Sequence, residues 1–314
     1  MLYQKFQVAK MRKAFLTELV KQARNNPDIF LITGDLGYGV LEEFQERYPE
    51  QFLNSGVNEQ TMMGLAAGLA STGRRVFVYS IGNFPTLRCL EQIRNDVCLM
   101  NNPVTIVSVG AGYAYGAQGY SHHALEDVAA LRSLPNLEVL VPSSELETRL
   151  LTEYVCTNKN PSYLRLGKEL PGEDPEFVGK IEAGKVRIIK NGQSGTILFN
   201  GSLHEIVREA DILLQGKGFN LTLATVPFVS AIDIEFLGKA AAMGPIITVE
   251  EHTVKGGLGA AVLEAAAKGH INSKIGLVGS QQSDLTRIGS QSYLREAHGI
   301  SSTAIIYEFE ALLV

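Results

Sequence analysis

Positive charge, paired cysteines and long apolar runs are all scarce in this chain, and each shortage removes a class of function. Lys and Arg number 28 against 33 Asp and Glu, a formal charge of −5, which leaves no basic surplus to follow a nucleic-acid backbone. The three cysteines, Cys89, Cys98 and Cys156, are widely separated and odd in number. They form neither a disulfide framework nor the close pairs of a metal knuckle, so they read as reduced core residues of a cytoplasmic protein with no metal site of its own. Apolar runs stop short of a bilayer's thickness, which predicts no membrane partner. The first 25 residues mix Lys, Arg, Gln and Glu with Leu, Val and Phe at helical spacing, unlike the apolar block of a signal peptide.

What the chain does have is core. Of its 314 residues 45% are hydrophobic and 19% charged, enough to bury two ordinary cores. Residues 10–23 carry Phe15, Leu16, Leu19 and Val20 as an apolar stripe and predict an amphipathic helix, ended by Asn25-Asn26-Pro27-Asp28. Largely apolar runs at 29–33, 76–79, 104–109, 137–141 and 162–166 have the length of strands covered on both faces. Helical stretches fall between them, from Glu59 onward and at 86–99, 125–131 and 145–154, the last capped by Ser144. Such alternation without an internal repeat predicts a wound parallel sheet. The charged segment 169–176, rich in Pro and Gly, is a linker by composition. A second α/β unit follows, with strands at 195–199, 221–225 and 246–249 and a helix at 205–214. The expected fold class is therefore α/β, two wound parallel-sheet domains divided as 1–172 and 173–314.

The stretch Gly56-Val57-Asn58-Glu59-Gln60 opens a helix of small and apolar residues, with Asn58 placed to cap it. A carboxylate in the first turn has two readings: a solvated charge answering the helix dipole, or a buried group serving a ligand. Gly64 and Gly68, four apart on one helical face, would let another backbone come close, which argues for a buried helix. Ligands of open parallel sheets bind at the carboxyl ends of the strands. Asp35 and Tyr38 in the glycine-rich turn 34–39, Phe84, and the pair His122-His123 all fall at such ends. Each also has a plain reading, as a tight turn, a core ring or a solvated loop histidine.

Gly-Val-Asn-Glu-Gln followed by a small-residue helix resembles the pyrimidine-binding domain of transketolases and deoxyxylulose-phosphate synthases, which use thiamine diphosphate. The resemblance puts Glu59 on the family's glutamate, which hydrogen-bonds a ring nitrogen of the cofactor's aminopyrimidine and so promotes loss of the thiazolium proton. It implies a carboxyl kept protonated near neutral pH by an apolar surround, a role that Met62, Met63 and Leu65 suit. Asp35 and Leu36 match an Asp-Leu pair on the cofactor loop, and Phe84 matches an aromatic stacked on the pyrimidine. Gly119-Tyr120-Ser121-His122 is similar to the family's Gly-x-Ser/Thr-His. That puts His122 on the histidine that moves protons at the sugar hydroxyls, with His123 where Gln is usual. Glu250-Glu251-His252 before Lys255-Gly256-Gly257-Leu258-Gly259 resembles a strand-to-helix turn of the carboxyl-terminal domain. The resemblance implies packing and subunit contact there, against the hydrolase or metal reading that the residues alone invite.

The likeness spans essentially the whole chain, as a pyrimidine-binding domain followed by a transketolase carboxyl-terminal domain. Gly-Asp-Gly, with which the family's diphosphate-binding domain holds metal and diphosphate, does not occur, since Gly34-Asp35 continues with Leu36. The chain thus looks like the carboxyl-terminal subunit of a split transketolase, a transferase that moves a two-carbon ketol unit between sugars in carbohydrate metabolism. An amino-terminal partner subunit is implied, with the diphosphate-binding domain and most of the Mg2+ site. The chain is expected as a homodimer within an α2β2 assembly. A split deoxyxylulose-phosphate synthase, a 2-oxo acid dehydrogenase beta subunit and a catalytically silent regulatory subunit are the alternatives. Toward the substrate, Arg12 matches the first phosphate-binding arginine of the family and Lys168 stands at the second, whereas Gly110 and Gly39 stand where a histidine and a serine are usual. The departures imply that at least one substrate lacks an ordinary terminal phosphate, with Tyr113, Tyr115 and Tyr120 shaping that end of the pocket.

Overall fold

Alternating strands and helices build two sheets in succession. The computed structural model describes residues 10–167 and 181–314; Lys168, the segment 169–176 and the division at 172/173 lie outside them. The first sheet is preceded by α1 (Lys10–Ala23). After it come β1 (Ile29–Thr33), α2 (Glu42–Arg47), β2 (Phe52–Asn54), α3 (Glu59–Ser71), β3 (Arg75–Ile81) and α4 (Leu90–Gln92). The unit is completed by β4 (Val104–Val109), α5 (Asp127–Arg132), β5 (Glu138–Leu140), α6 (Glu145–Thr157) and β6 (Ser162–Leu166). Its six strands lie in the order β2-β1-β3-β4-β6-β5 and every pair is parallel.

Both faces of this sheet are covered. Met62, Met63 and Ala66 of α3 pack with Val76, Val78 and Ile106 on one side. Phe15 and Leu19 of α1, with Leu151 and Val155 of α6, pack with Leu31, Phe77 and Val107 on the other. Neighbouring residues of β3 therefore enter different cores, which is why the strand reads as an unbroken apolar run and not as an alternation. Ser144 caps α6 as expected, its side chain accepting the backbone N–H of Glu147.

Two expectations are corrected here. Residues 86–99 are not one α-helix: Thr86 leaves helical geometry, Leu87–Cys89 make a tight turn, and beyond α4 the chain widens into a π-helix over Ile93–Leu99. The wider turn sets Val97 and Cys98 on either side of Ile93, and all three side chains are fully buried. The glycine pair of α3 is not packed against a backbone of this chain. Gly64 and Gly68 are exposed and nothing lies within 4 Å of the place a Cβ would take. With Thr61, Leu65 and Leu69 they line an open apolar groove.

The second unit contains β7 (Arg187–Lys190), β8 (Thr196–Phe199), α7 (His204–Gly216), β9 (Thr222–Thr225), α8 (Ile234–Met243) and β10 (Ile246–Thr253). It ends with α9 (Leu258–Lys268), β11 (Ile275–Ser280), α10 (Gln291–Ala297) and α11 (Ser302–Ala311). The order is β11-β10-β8-β9-β7. All pairs are parallel except β7 with β9, so an antiparallel edge closes an otherwise parallel sheet, a common finish for wound folds. No helix among the described residues is long and apolar enough to cross a membrane.

Candidate active site

Three loops at the carboxyl ends of β1, β3 and β4 carry the groups singled out from the sequence. Gly56, with φ +75°, turns the chain into α3, and Asn58 caps the helix by accepting the backbone N–H of Thr61 at 3.2 Å. Glu59 follows in the first turn with only 5% of its surface exposed, so the buried reading holds over the solvated one. Its surround is not purely apolar. Met62 and Met63 are fully buried nearby on the helix, but Leu65 is 41% exposed and points away. The carboxylate Oε2 accepts from Nη1 of Arg88 at 2.9 Å.

Arg88 joins two of the expected residues. Its guanidinium carbon stands 4.6 Å from the centroid of the Phe84 ring, within cation–π range, while its Nη1 holds Glu59. The same planar cation thus lies on the ring and against the carboxylate. Phe84 in turn meets His122 edge-on, with ring centroids 5.2 Å apart and planes at 71°. His122 Nδ1 is 3.0 Å from Ser121 Oγ, and its ring lies 6.3 Å from that of Tyr115. Short hydrogen bonds pin the loops to one another: Asn83 Nδ2 donates to the carbonyl of His123 at 2.6 Å, and Ser108 Oγ to the carbonyl of Gly82 at 3.0 Å. Glu59, Phe84 and His122 are therefore brought together.

The remaining candidates lie around that group. Asp35 is exposed at φ +57°, and its carboxylate accepts from Tyr38 Oη at 2.7 Å and Asn54 Nδ2 at 3.1 Å. Those two hydrogen bonds, Tyr38's the larger, hold the carboxyl below the usual carboxylate range. Leu36 is half-buried against the α1 face of the sheet, its carbonyl accepting from Thr33 Oγ1 at 2.9 Å. Their neighbour Gly34 packs on the carbonyl of Gly56 and the sulfur of Met62, which sets this loop beside the turn that delivers Glu59. Arg12 is half-buried beside Tyr79, whose phenol is pushed up by burial while the arginine charge opposes that shift. His123 turns inward: it is 2% exposed, edge-on to Tyr113 at 5.2 Å, with Nε2 3.3 Å from the carbonyl of Gly116 and its pKa lowered by burial. Of the three loop tyrosines, Tyr115 neighbours His122, Tyr113 is buried against Ser280 and His298, and Tyr120 faces outward to Glu126. Lys168 is outside the described residues.

Sequence reasoning treated Arg88 as scaffold, and its place on Glu59 was missed. The available signal was the four-residue spacing from Phe84 to Arg88, which lets a cation reach back over a ring. The acidic run of β10 is structural. Glu250 accepts the backbone N–H groups of Leu258 and Gly259 at 2.7 and 2.9 Å, capping α9, and burial pushes its carboxyl up to about 7. Glu251 accepts from the backbone of Tyr113 and from Gln291 and Arg295. Burial lowers His252 to about 4.

A carboxylate at a helix start, facing the same planar nitrogen cation as an aromatic ring, fits a flat heterocycle bearing ring nitrogens. One group supplies the hydrogen bond and the other the stacking face. Comparison with known proteins agrees with that fit. Residues 7–172 match the family description "Transketolase, pyrimidine binding domain", and residues 184–305 match "Transketolase, C-terminal domain". One of the two subunits of the apulose-4-phosphate transketolase of Phocaeicola vulgatus is 35% identical over 271 residues, 84% of this chain and 86% of that protein. The 1-deoxy-D-xylulose-5-phosphate synthase of Carboxydothermus hydrogenoformans is 29% identical over 96% of this chain, which spans 48% of that enzyme. A solved structure described as "Split gene transketolase, inactive beta4 tetramer" superposes with a TM-score of 0.86 at 31% identity, covering 98% of both chains. With both of its units matched in order, the chain belongs to the transketolase family.

Proposed function

We propose that this chain is the cofactor-activating subunit of a two-chain, thiamine-diphosphate-dependent transketolase, moving a two-carbon ketol unit from a ketose to an aldehyde acceptor. The observation that carries the reading is the convergence of Glu59 and Phe84 on one planar cation. Thiamine diphosphate, when bound, supplies the carbon nucleophile that amino-acid side chains lack. Glu59 holds the ring nitrogen by a hydrogen bond, Phe84 provides the stacking face, and Asp35 and Leu36 line the neighbouring loop. His122, steadied by Ser121, takes and returns protons at the sugar hydroxyls.

Diphosphate and Mg2+ fall to an amino-terminal partner subunit, because the sequence has no Gly-Asp-Gly to hold them. The "inactive" four-chain relative of nearly identical length supports that dependence, and the exposed Gly64 and Gly68 face of α3 offers a second copy the close backbone approach a homodimer needs. Arg12 and Lys168 are the cations left for a substrate anion, while Gly110 and Gly39 offer no side-chain donors. A substrate other than an ordinary terminal phosphosugar suits that set. The similarity to deoxyxylulose-phosphate synthases favours a split enzyme of that kind as the second reading. Co-purification identifies the partner, and the reconstituted pair is then given a carbon-labelled ketose and an aldehyde acceptor. Label transfer only when both chains are present is expected. Pyruvate-dependent condensation supports the second reading, and no turnover with any ketose or with pyruvate removes both.

A further inference from the structure

Arg88 occupies an unusual position for a side chain at the edge of a site. Its guanidinium is flat, carries N–H donors in its plane, and touches both groups that the proposed function reserves for the cofactor's ring. An aminopyrimidine presents the same features, a flat π-surface with nitrogen donors and acceptors at its edge. Two planar groups cannot lie on one carboxylate oxygen and one ring face together.

We propose that Arg88 competes with the cofactor's aminopyrimidine for Glu59 and Phe84, and swings out before the ring takes those contacts. The inference rests on the thiamine diphosphate reading above. The local structure allows the motion. The backbone of Arg88 is fixed, since its carbonyl accepts from Gln60 Nε2 at 3.3 Å, whereas its side chain is 51% exposed and opens to solvent. Until the ring arrives, the arginine neutralises a buried carboxylate and keeps Phe84 and Glu59 at a fixed separation. The ring binds only the fraction of chains in which the guanidinium has left, so the apparent dissociation constant is raised by the inverse of that fraction.

Calorimetric titration of thiamine diphosphate with Mg2+ into the reconstituted two-chain complex tests the competition, with Arg88→Met as the variant because it keeps the volume of the stem. An exposed ion pair and a cation–π contact removed from the competing state correspond to about five-fold tighter binding. The gain is expected in the association rate, read by stopped flow, because Arg88 makes these contacts only before the ring binds. Unchanged or weaker affinity in a folded Arg88→Met complex overturns the proposal, since an arginine with a merely structural role gives that result, as does one that grips the bound cofactor. If Arg88→Met does not assemble, Arg88→Lys decides on the same criterion: it keeps the charge but lacks the planar stack, so affinity above the parent supports the competition and affinity at or below it overturns it. A parent complex that takes up no thiamine diphosphate overturns the functional reading, and the competition with it. The two failures are distinct because the parent titration is read first.

Discussion

The ring of Tyr115 fills the space that a side chain on Gly110 would need: a Cβ at that position would run into the Cδ2–Cε2 edge of the tyrosine. Gly110 also has φ +88°, a region that side chains resist. The glycine and the tyrosine therefore form one unit of shape beside His122. Gly110→Ala is expected to destabilise the chain by about 1 to 3 kcal/mol through overpacking. A double-mutant cycle with Tyr115→Ala should show a coupling of about 0.5 kcal/mol or more, by urea denaturation. Strictly additive effects would remove Tyr115 from the role of filling this space.

The same unit bears on substrate choice. With no donor on Gly110 or Gly39, and Tyr115 in the way of one, recognition of a terminal phosphate loses about 1.5 to 3 kcal/mol per missing charge-assisted hydrogen bond. The reconstituted pair should use xylulose 5-phosphate and ribose 5-phosphate poorly. A kcat/KM of about 10⁴ M⁻¹s⁻¹ or more on both, the range of an ordinary enzyme, contradicts this.

Glu59→Ala should slow proton exchange at the cofactor by about a hundredfold or more in the assembled pair, the size of a lost acid-base contact. Assembly itself should be nearly unchanged. Exchange at the parent rate in a folded complex takes Glu59 out of the mechanism.

The chain alone should bind thiamine diphosphate only weakly, because the groups that answer the diphosphate charge belong to the partner. Calorimetry of the purified chain with cofactor and Mg2+ checks this, and micromolar or tighter binding would falsify it.

Glu250 and His252 make opposite contributions to stability with pH. Burial raises the carboxyl to about 7 from an ordinary 4.5, so its contribution is complete at low pH and is lost as pH rises through about 7. Burial lowers the imidazole to about 4 from 6.5, so its contribution is complete at higher pH and is lost as pH falls toward 4. Removing one group exposes the other's slope. Relative to the parent, His252→Gln should lose stability as pH rises between 4.5 and 7. Glu250→Gln should lose it as pH falls between 6.5 and 4. Urea midpoints across that range decide, and slopes of the same sign refute the assignment.

Strands were the most legible part of the chain. Residues 29–33, 104–109 and 162–166 form β1, β4 and β6 with the bounds read from the sequence, because buried parallel strands write continuous apolar runs. β2 and β7 were not seen: one is three residues long, and the other is an edge strand whose burial is broken at Ile188. The π-helix after α4 could not be read, since apolar spacing alone does not distinguish a wider turn from an α-helical one. Glu59, Phe84 and His122 were legible because short motifs carried them. Arg88 was not, because its role lies in a contact between two elements 29 residues apart, and a surface arginine on a helix has many ordinary explanations.

The loop that carries His122 is held at both ends by the other half of the protein. At its start, the backbone N–H of Tyr113 donates to Glu251 of β10. Just past its close, the carbonyl of Ala124 accepts from buried Arg165, and the same guanidinium grips Asp127 and reaches the carbonyl of Glu251. The second sheet contributes no residue to the proposed chemistry, yet it is the anvil against which the histidine loop is shaped. The spacing between His122 and Phe84 is thus a property of the whole chain, and tilting one unit against the other would register first as a change in that distance.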